Sequence, residues 1–327
     1  MGQSCCNAPP PSKSESTGTA SDGPLVHSAF VFIKPHAVTS SVKELVRKKL
    51  EAANIRVLQD KQIDAETIDE KKYIDKHYGA IASRAVLQQP AELVVQEAPK
   101  KEFEKLFGLT WDDALQKGLV FNAADAAGKL GIKPLEVSER FDKLERGKDQ
   151  IKFGGGFYVG KLDDIYVVNG FYTRMRAKYT TPGVCIHCFE VEWDPAALSW
   201  KKFRAEIIGA TNPKEAAEGS IRQVILADWS NLGLSAEPDT GDNGAHASAS
   251  PFEGLAEKSN WLGVSIGEDP LGKAFQAAGV PLSHIEAWTG DPAVMLDDKK
   301  QSLFDLFEDV DVSDCVDKAS AIYAANK

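Results

Sequence analysis

HSAFVFIKPHAVTSSVKELVRKKLEAANIRVLQDKQI, residues 27–63, is the stretch on which the fold turns. HSAFVFIKP reads as a buried strand, a short apolar run rich in aromatic and β-branched residues. SSVKELVRKKLEAANI then reads as a helix, because Val42, Leu45, Val46, Leu50 and Ala53 recur on one face. Ser41 and Glu44 offer a capping box at its start. IRVLQDKQI returns as a second strand, and ETIDEKKYIDKHYGAIASR follows as a second helix. The opening is β-α-β-α.

Outward from this stretch the pattern changes twice. Residues 1–26 are rich in Pro, Ser, Thr and Gly with little to bury, and are expected to form a flexible arm. Gly2 would be its terminal residue after methionine removal, and with Cys5 and Cys6 beside it suits a myristoyl chain plus palmitoyl chains, although Cys6 stands where Ser or Thr is usual. Without a polybasic patch the cysteines would have to supply the second anchor. That expectation places the chain at the cytoplasmic side of a membrane, and otherwise in the cytoplasm. Residues 27–84 form the first part of the core, and residues 85–164 read as a mostly helical insertion. The insertion ends in KFGGGFYVGK, which lacks the GxxxxGK[ST] spacing of a phosphate cradle and reads as a tight turn. Residues 165–260 resume the core with a partly helical IYVVNGFYTRMRAKY, a strand in PGVCIHCFEVEW, a helix in LSWKKFRAEIIG, and a loop leading to AHASASPFEGLAEKSNWLG. Residues 261–327 form a C-terminal extension of short helical segments and acidic patches.

The formal charge of -10 argues against a protein that grips nucleic acid through a broad basic face, whereas a small nucleotide pocket needs only a few local cations. Five cysteines do not read as a disulfide framework. Cys185, His187 and Cys188 invite a metal reading, but on a strand residues at odd spacing point to opposite faces, and no metal site is assigned.

FVFIKP followed by an amphipathic helix, HY on the second helix, GATNPKEAAEGSIR, and NGAHAS followed by Ser250 and a helix resemble, in order, the signatures of the nucleoside diphosphate kinase family. The resemblance implies a ferredoxin-like α/β sandwich: an antiparallel four-stranded sheet with helices on one face, here carrying the insertion. It also implies a ping-pong transfer of the γ-phosphate of ATP or GTP to a nucleoside diphosphate, with Mg2+ arriving bound to the nucleotide. His246 matches the phosphorylated histidine and Glu257 the carboxylate that orients it. Lys34 and Arg222 match the cations at the transferred phosphate, Thr211 a hydroxyl on the other phosphates, and Asn243 with Lys34 the sugar contacts. Tyr78 matches the tyrosine near the transferred phosphate, Phe171 and Met175 the pair that sandwiches the base, and Ser248 the serine beside the histidine. Physical chemistry asks for the same parts: a neutral imidazole nitrogen held in line, cations around the phosphate oxygens, and a fixed neighbour for the second ring nitrogen.

Each residue taken singly has an innocent reading, from a surface histidine at position 246 to turn residues at Thr211 and Asn243. The departures from the family pattern also bear on function. His36 and Ala37 stand where Asp and Gly are expected, and Ala249 where many members carry an aspartate of the magnesium shell. The family arginine falls on Ala205, with Arg204 one residue earlier. On a helix that shift turns a side chain by about 100°, so Arg204 reaches the phosphate only if the helix end adjusts. These changes leave a second reading open, a non-catalytic nucleotide-binding or scaffolding module at a membrane. A homo-oligomer, and a protein partner for the insertion or the C-terminal extension, are compatible with either.

Overall fold

Every side chain from Ala29 to Ile33 is fully buried, which requires a central strand covered on both faces. The computed structural model, which describes residues 25–154 and 156–327, provides both covers. Gly2, Cys5 and Cys6, the expected lipid sites, lie outside the described residues. The chain divides into two units, one made of the chain up to Thr67 together with Gly183–Lys327, the other of Ile68–Pro182. In chain order the strands are β1 (His27–Ile33), β2 (Arg56–Asp64), β3 (Val120–Asn122), β4 (Gln150–Gly154), β5 (Phe157–Leu162), β6 (Ile165–Val168), β7 (Cys185–Trp193), β8 (Ala245–Ala247), β9 (Ala293–Leu296) and β10 (Lys299–Ser302).

The first unit is built on a four-stranded sheet in the order β2-β7-β1-β8. Its pairings are antiparallel, with His27 opposite Trp193, Ile33 opposite His187, and Phe32 opposite His246. Alternation along β1 sends Ala29, Val31 and Ile33 into one cluster with Val42, Val46 and Leu50 of the helix Ser40–Ala52. Each of those three helix side chains is worth roughly 1.5–3 kcal/mol when fully buried. Phe30 and Phe32 point the other way and pack on Trp261 of the helix Pro251–Leu262, ring centroids 5.9 and 5.8 Å away. Helices therefore cover both faces of the sheet, not one, because β1 is apolar on both sides. The cap of Ser40–Ala52 also differs from the expected Ser41 box. Thr39 is the N-cap, accepting the Val42 N–H at 3.1 Å and donating to Leu232 O at 2.7 Å.

The C-terminal extension shares its core with the sheet's second cover. Phe252 and Leu255 of Pro251–Leu262 join Phe275, Ile285, Leu303 and Phe307 in one apolar cluster. Asp311 completes the fastening, its Oδ1 lying 3.0 Å from His27 Nε2 and accepting the Trp200 N–H at 2.6 Å.

The second unit carries a mixed sheet in the order β3-β6-β5-β4, with β3 parallel to β6 and the other pairs antiparallel. The helices expected at 85–164 are present, and three strands of this sheet, β3, β4 and β5, lie among them. Gly154 ends β4 and Gly156 precedes β5, IYVV is a wholly buried strand, and the helical part of its stretch is Tyr172–Thr180. A four-residue apolar run has no period that separates the two states. The expected helix at 66–84 is likewise broken, first at Lys72, whose φ of 55° is left-handed. The chain as a whole is mixed α+β. Among the described residues, no helix is long and apolar enough to cross a membrane.

Candidate functional site

β8 places His246 at the end of the sheet, its ring stacked 4.8 Å from that of Phe32. Two residues later Ser248 bonds back to β1: its N–H donates to Phe30 O at 3.1 Å and its Oγ accepts the Phe30 N–H at 3.0 Å. The chain then turns straight into a helix, because Ser250 caps it by accepting the Glu253 N–H at 3.0 Å and Pro251 sits in its first turn. Gly254 lets that helix approach β1, since a Cβ there would lie 2.7 Å from Ser28 O. The result carries Glu257 back to the histidine. Glu257 Oε1 lies 2.6 Å from His246 Nε2, and its Oε2 accepts from Ser248 Oγ at 2.6 Å. The carboxylate is buried while the imidazole remains partly exposed.

His246 borders a cavity of about 680 Å³ formed wholly within the first unit, within the range that takes a small organic ligand. Lys34, Arg204, Thr211, Arg222 and Asn243 line it with the histidine. Arg222 is held by backbone carbonyls, donating to Ala245 O through Nε and Nη2 (3.0 and 2.9 Å) and to Gly209 O through Nη1 (2.8 Å). Burial, and then the neighbouring Arg204, lower its guanidinium to about 10, so it is a cation at neutral pH. Two arginines close enough to repel each other mark a place suited to an anion.

Arg204 reaches the cavity because the turn Phe203–Ile208 is π-helical, with the Gly209 N–H on Arg204 O at 3.0 Å. A π turn absorbs one extra residue, which is the displacement the sequence shows at Ala205. The guanidinium donates to Glu308 Oε1 at 2.9 Å and Asp309 Oδ1 at 2.6 Å. Burial alone would lower its pKa, but these two carboxylates together outweigh burial and raise it.

The loop before His246 is held from several sides. Gly244 has a φ of 89°, and a Cβ there would meet Ile225 Cδ1 at 2.8 Å, so glycine is required. Its N–H donates to His36 Nε2 at 3.2 Å and its carbonyl accepts the Lys34 N–H at 2.9 Å. His36, the departure from the family motif, thus works as a brace for this loop. Lys34 Nζ donates to Gly241 O at 2.9 Å. Asn243 Nδ2 donates to Thr211 O at 2.9 Å and Thr240 O at 3.4 Å, which fixes the amide's orientation. Its Oδ1 is buried without a hydrogen-bond partner.

Ala205 and Ala249, two of the departures, line the cavity, whereas Ala37 is buried in the core. Tyr78, Phe171 and Met175 belong to the second unit, where they border the apolar cluster around Phe141 and Tyr172. Sequence reading missed Lys201, Glu253, Glu308 and Asp309 in the wall. Only Glu253 carried a signal, standing one helical turn before Glu257 on the same face. The other two acids come from a segment with no sequence proximity to the site.

Burial, then the charge of Glu257, raise the Glu253 carboxyl to about 8. Since the unfolded group titrates near 4.5, the folded state binds more protons between these values, and stability falls as pH rises through that window. Glu253→Gln should therefore gain stability over the parent as pH climbs from 5 to 8.5, by on the order of 2 kcal/mol. Denaturant midpoints at the two pH values check this, and parallel curves for the two proteins would refute the assignment.

No protein-family model matches the chain, and no curated protein matches it. Solved structures aligned with it include an NDP kinase from Pyrobaculum aerophilum, at 16% identity and a TM-score of 0.34, covering 72% of this chain and 96% of that one. Nucleoside diphosphate kinase from Encephalitozoon cuniculi aligns at 13% identity and 0.35, covering 75% and 92%. The enzyme from Aquifex aeolicus aligns at 13% and 0.31, covering 72% and 94%. At TM-scores this low the functional reading has to come from the site.

Proposed function

We propose that the first unit is a nucleoside diphosphate kinase that carries the phosphoryl group on His246. The observation that supports this most is the His246–Glu257–Ser248 chain at the edge of a cavity lined by Lys34, Arg204 and Arg222. With Nε2 committed to Glu257, transfer runs through Nδ1. The Nδ1 lone pair attacks the γ-phosphorus of a nucleoside triphosphate, the bond to the β-phosphate's bridging oxygen breaks, and a nucleoside diphosphate leaves. The terminal oxygen of a second diphosphate then takes the phosphoryl group back. Glu257 accepts the Nε2 proton's hydrogen bond and stabilises the cationic ring of the intermediate. Arg222, Arg204 and Lys34 would neutralise the charge on the phosphate oxygens, and Asn243 Oδ1 would take a sugar hydroxyl. Magnesium enters as part of the nucleotide substrate. The sheet order β2-β7-β1-β8 is the one a ferredoxin-like sandwich would have, and we read it so.

Incubation with γ-labelled ATP should leave a protein-bound phosphate that survives alkali and is lost in acid. A second reading, a nucleotide-binding module without turnover, is favoured by one observation, the engagement of Arg204 by two carboxylates. Stoichiometric nucleotide binding with no such label would decide for it.

A further inference from the structure

The C-terminal extension supplies two of the acids in the cavity wall. Glu308 and Asp309 follow the short helix Leu303–Phe307, whose Leu303, Leu306 and Phe307 are buried in the extension's cluster. Their position is anchored by backbone: the Asp309 N–H donates to Ala249 O at 3.0 Å, and the Glu308 N–H to Asp305 O at 3.4 Å. Asp309 sits in the left-handed region at φ 60°, a conformation strained for most residues other than glycine. Both carboxylates are nevertheless aimed at a single guanidinium, that of Arg204. Both bonds fall on Nη1, so the guanidinium is over-neutralised by the two carboxylates and that nitrogen is no longer presented to an anion in the cavity. Arg222 differs in kind, since uncharged carbonyls hold it and its charge is uncompensated by them.

We propose that Glu308 and Asp309 compete with an incoming polyphosphate for Arg204, so that the C-terminal acidic turn sets how tightly the cavity holds its anion. Displacement requires only a side-chain rotation of Arg204 and Glu308, because the turn itself is held by its backbone and by the apolar cluster behind it. Identifying the polyphosphate as a nucleotide rests on the kinase reading above. Competition for an anion at Arg204 does not.

The test is the affinity of Glu308→Gln/Asp309→Asn for ADP, ATP and inorganic pyrophosphate by titration calorimetry. Asparagine tolerates a positive φ, so the turn is preserved. Partly exposed ion pairs contribute modestly, so binding should tighten roughly 3- to 10-fold. The gain should be larger for ATP than for ADP and should shrink in high salt. Adding Arg204→Ala to the double variant should erase it. Glu308→Gln alone, at an exposed side chain, should give part of the effect if the double variant folds poorly. Unchanged or weaker binding would overturn the proposal and make the acids mere positioners of Arg204. Tightening for pyrophosphate with no ADP binding would keep the competition and sink the nucleotide reading. Parent and variant both failing to bind any of the three would sink the competition as well.

Discussion

His246→Ala is expected to abolish phosphoryl transfer from ATP to a nucleoside diphosphate, a loss of roughly 10⁴-fold or more, because the group that forms the covalent bond is gone. Affinity for ADP should change little, since Lys34 and Arg222 stand on other segments and Lys34, Arg222 and Asn243 are held by the backbone carbonyls of Gly241, Ala245 and Thr211. The fold should survive too. The ring lies on the edge strand of the sheet and stacks on Phe32, which remains packed on Trp261. Full transfer activity in this variant, or a labelled serine in the parent, would remove the mechanism. Near-parent unfolding midpoints measured on the same preparation separate lost chemistry from lost structure.

Glu257→Gln should slow transfer by roughly 10²-fold. The buried carboxylate serves two neighbours at 2.6 Å each, His246 Nε2 through one oxygen and Ser248 Oγ through the other. Ser248 is in turn fixed by the Phe30 N–H, so the acid cannot swing away without breaking contact with β1. A glutamine fits the same space but has one oxygen to offer instead of two, and no charge to stabilise a cationic phosphohistidine. The loss should therefore appear in kcat more than in KM. A second consequence follows from the neighbour. Glu253 is raised partly by the charge of Glu257, so the variant should titrate Glu253 at a lower pH than the parent does. A rate equal to the parent's would make Glu257 a structural acid only.

Much of the first unit was legible because its elements have strong periods. Val42, Val46 and Leu50 recur at helical spacing and are buried as expected, and HSAFVFI, short, apolar and rich in aromatic and β-branched residues, forms the buried strand expected of it. The second unit was not legible to the same degree. Its strands are three to six residues long, and their pairing across Val120–Asn122 and Ile165–Val168 is set by contacts distant in sequence, to which local pattern is blind. Capping failed for a smaller reason. Thr39 and Ser41 are both competent caps, and the choice fell to Thr39 because Leu232, far along the chain, accepts its hydroxyl.

The sequence alone determined which residues could do chemistry: a histidine followed by a serine two positions on and by a glutamate eleven positions on, the last in a segment with helical period. Such spacings are local, and local spacing fixes which side chains share a face. Tertiary structure decided which cations reach them and what those cations already hold. Arg204 seemed one residue out of register, and a π turn returned it to the cavity. Glu308 and Asp309 had no visible link to the site until a shared apolar core brought the C-terminal turn against Ala249. Register within a helix depends on hydrogen bonds that the packing around it can shift by one residue, and the meeting of segments some hundred residues apart depends on which apolar faces find each other.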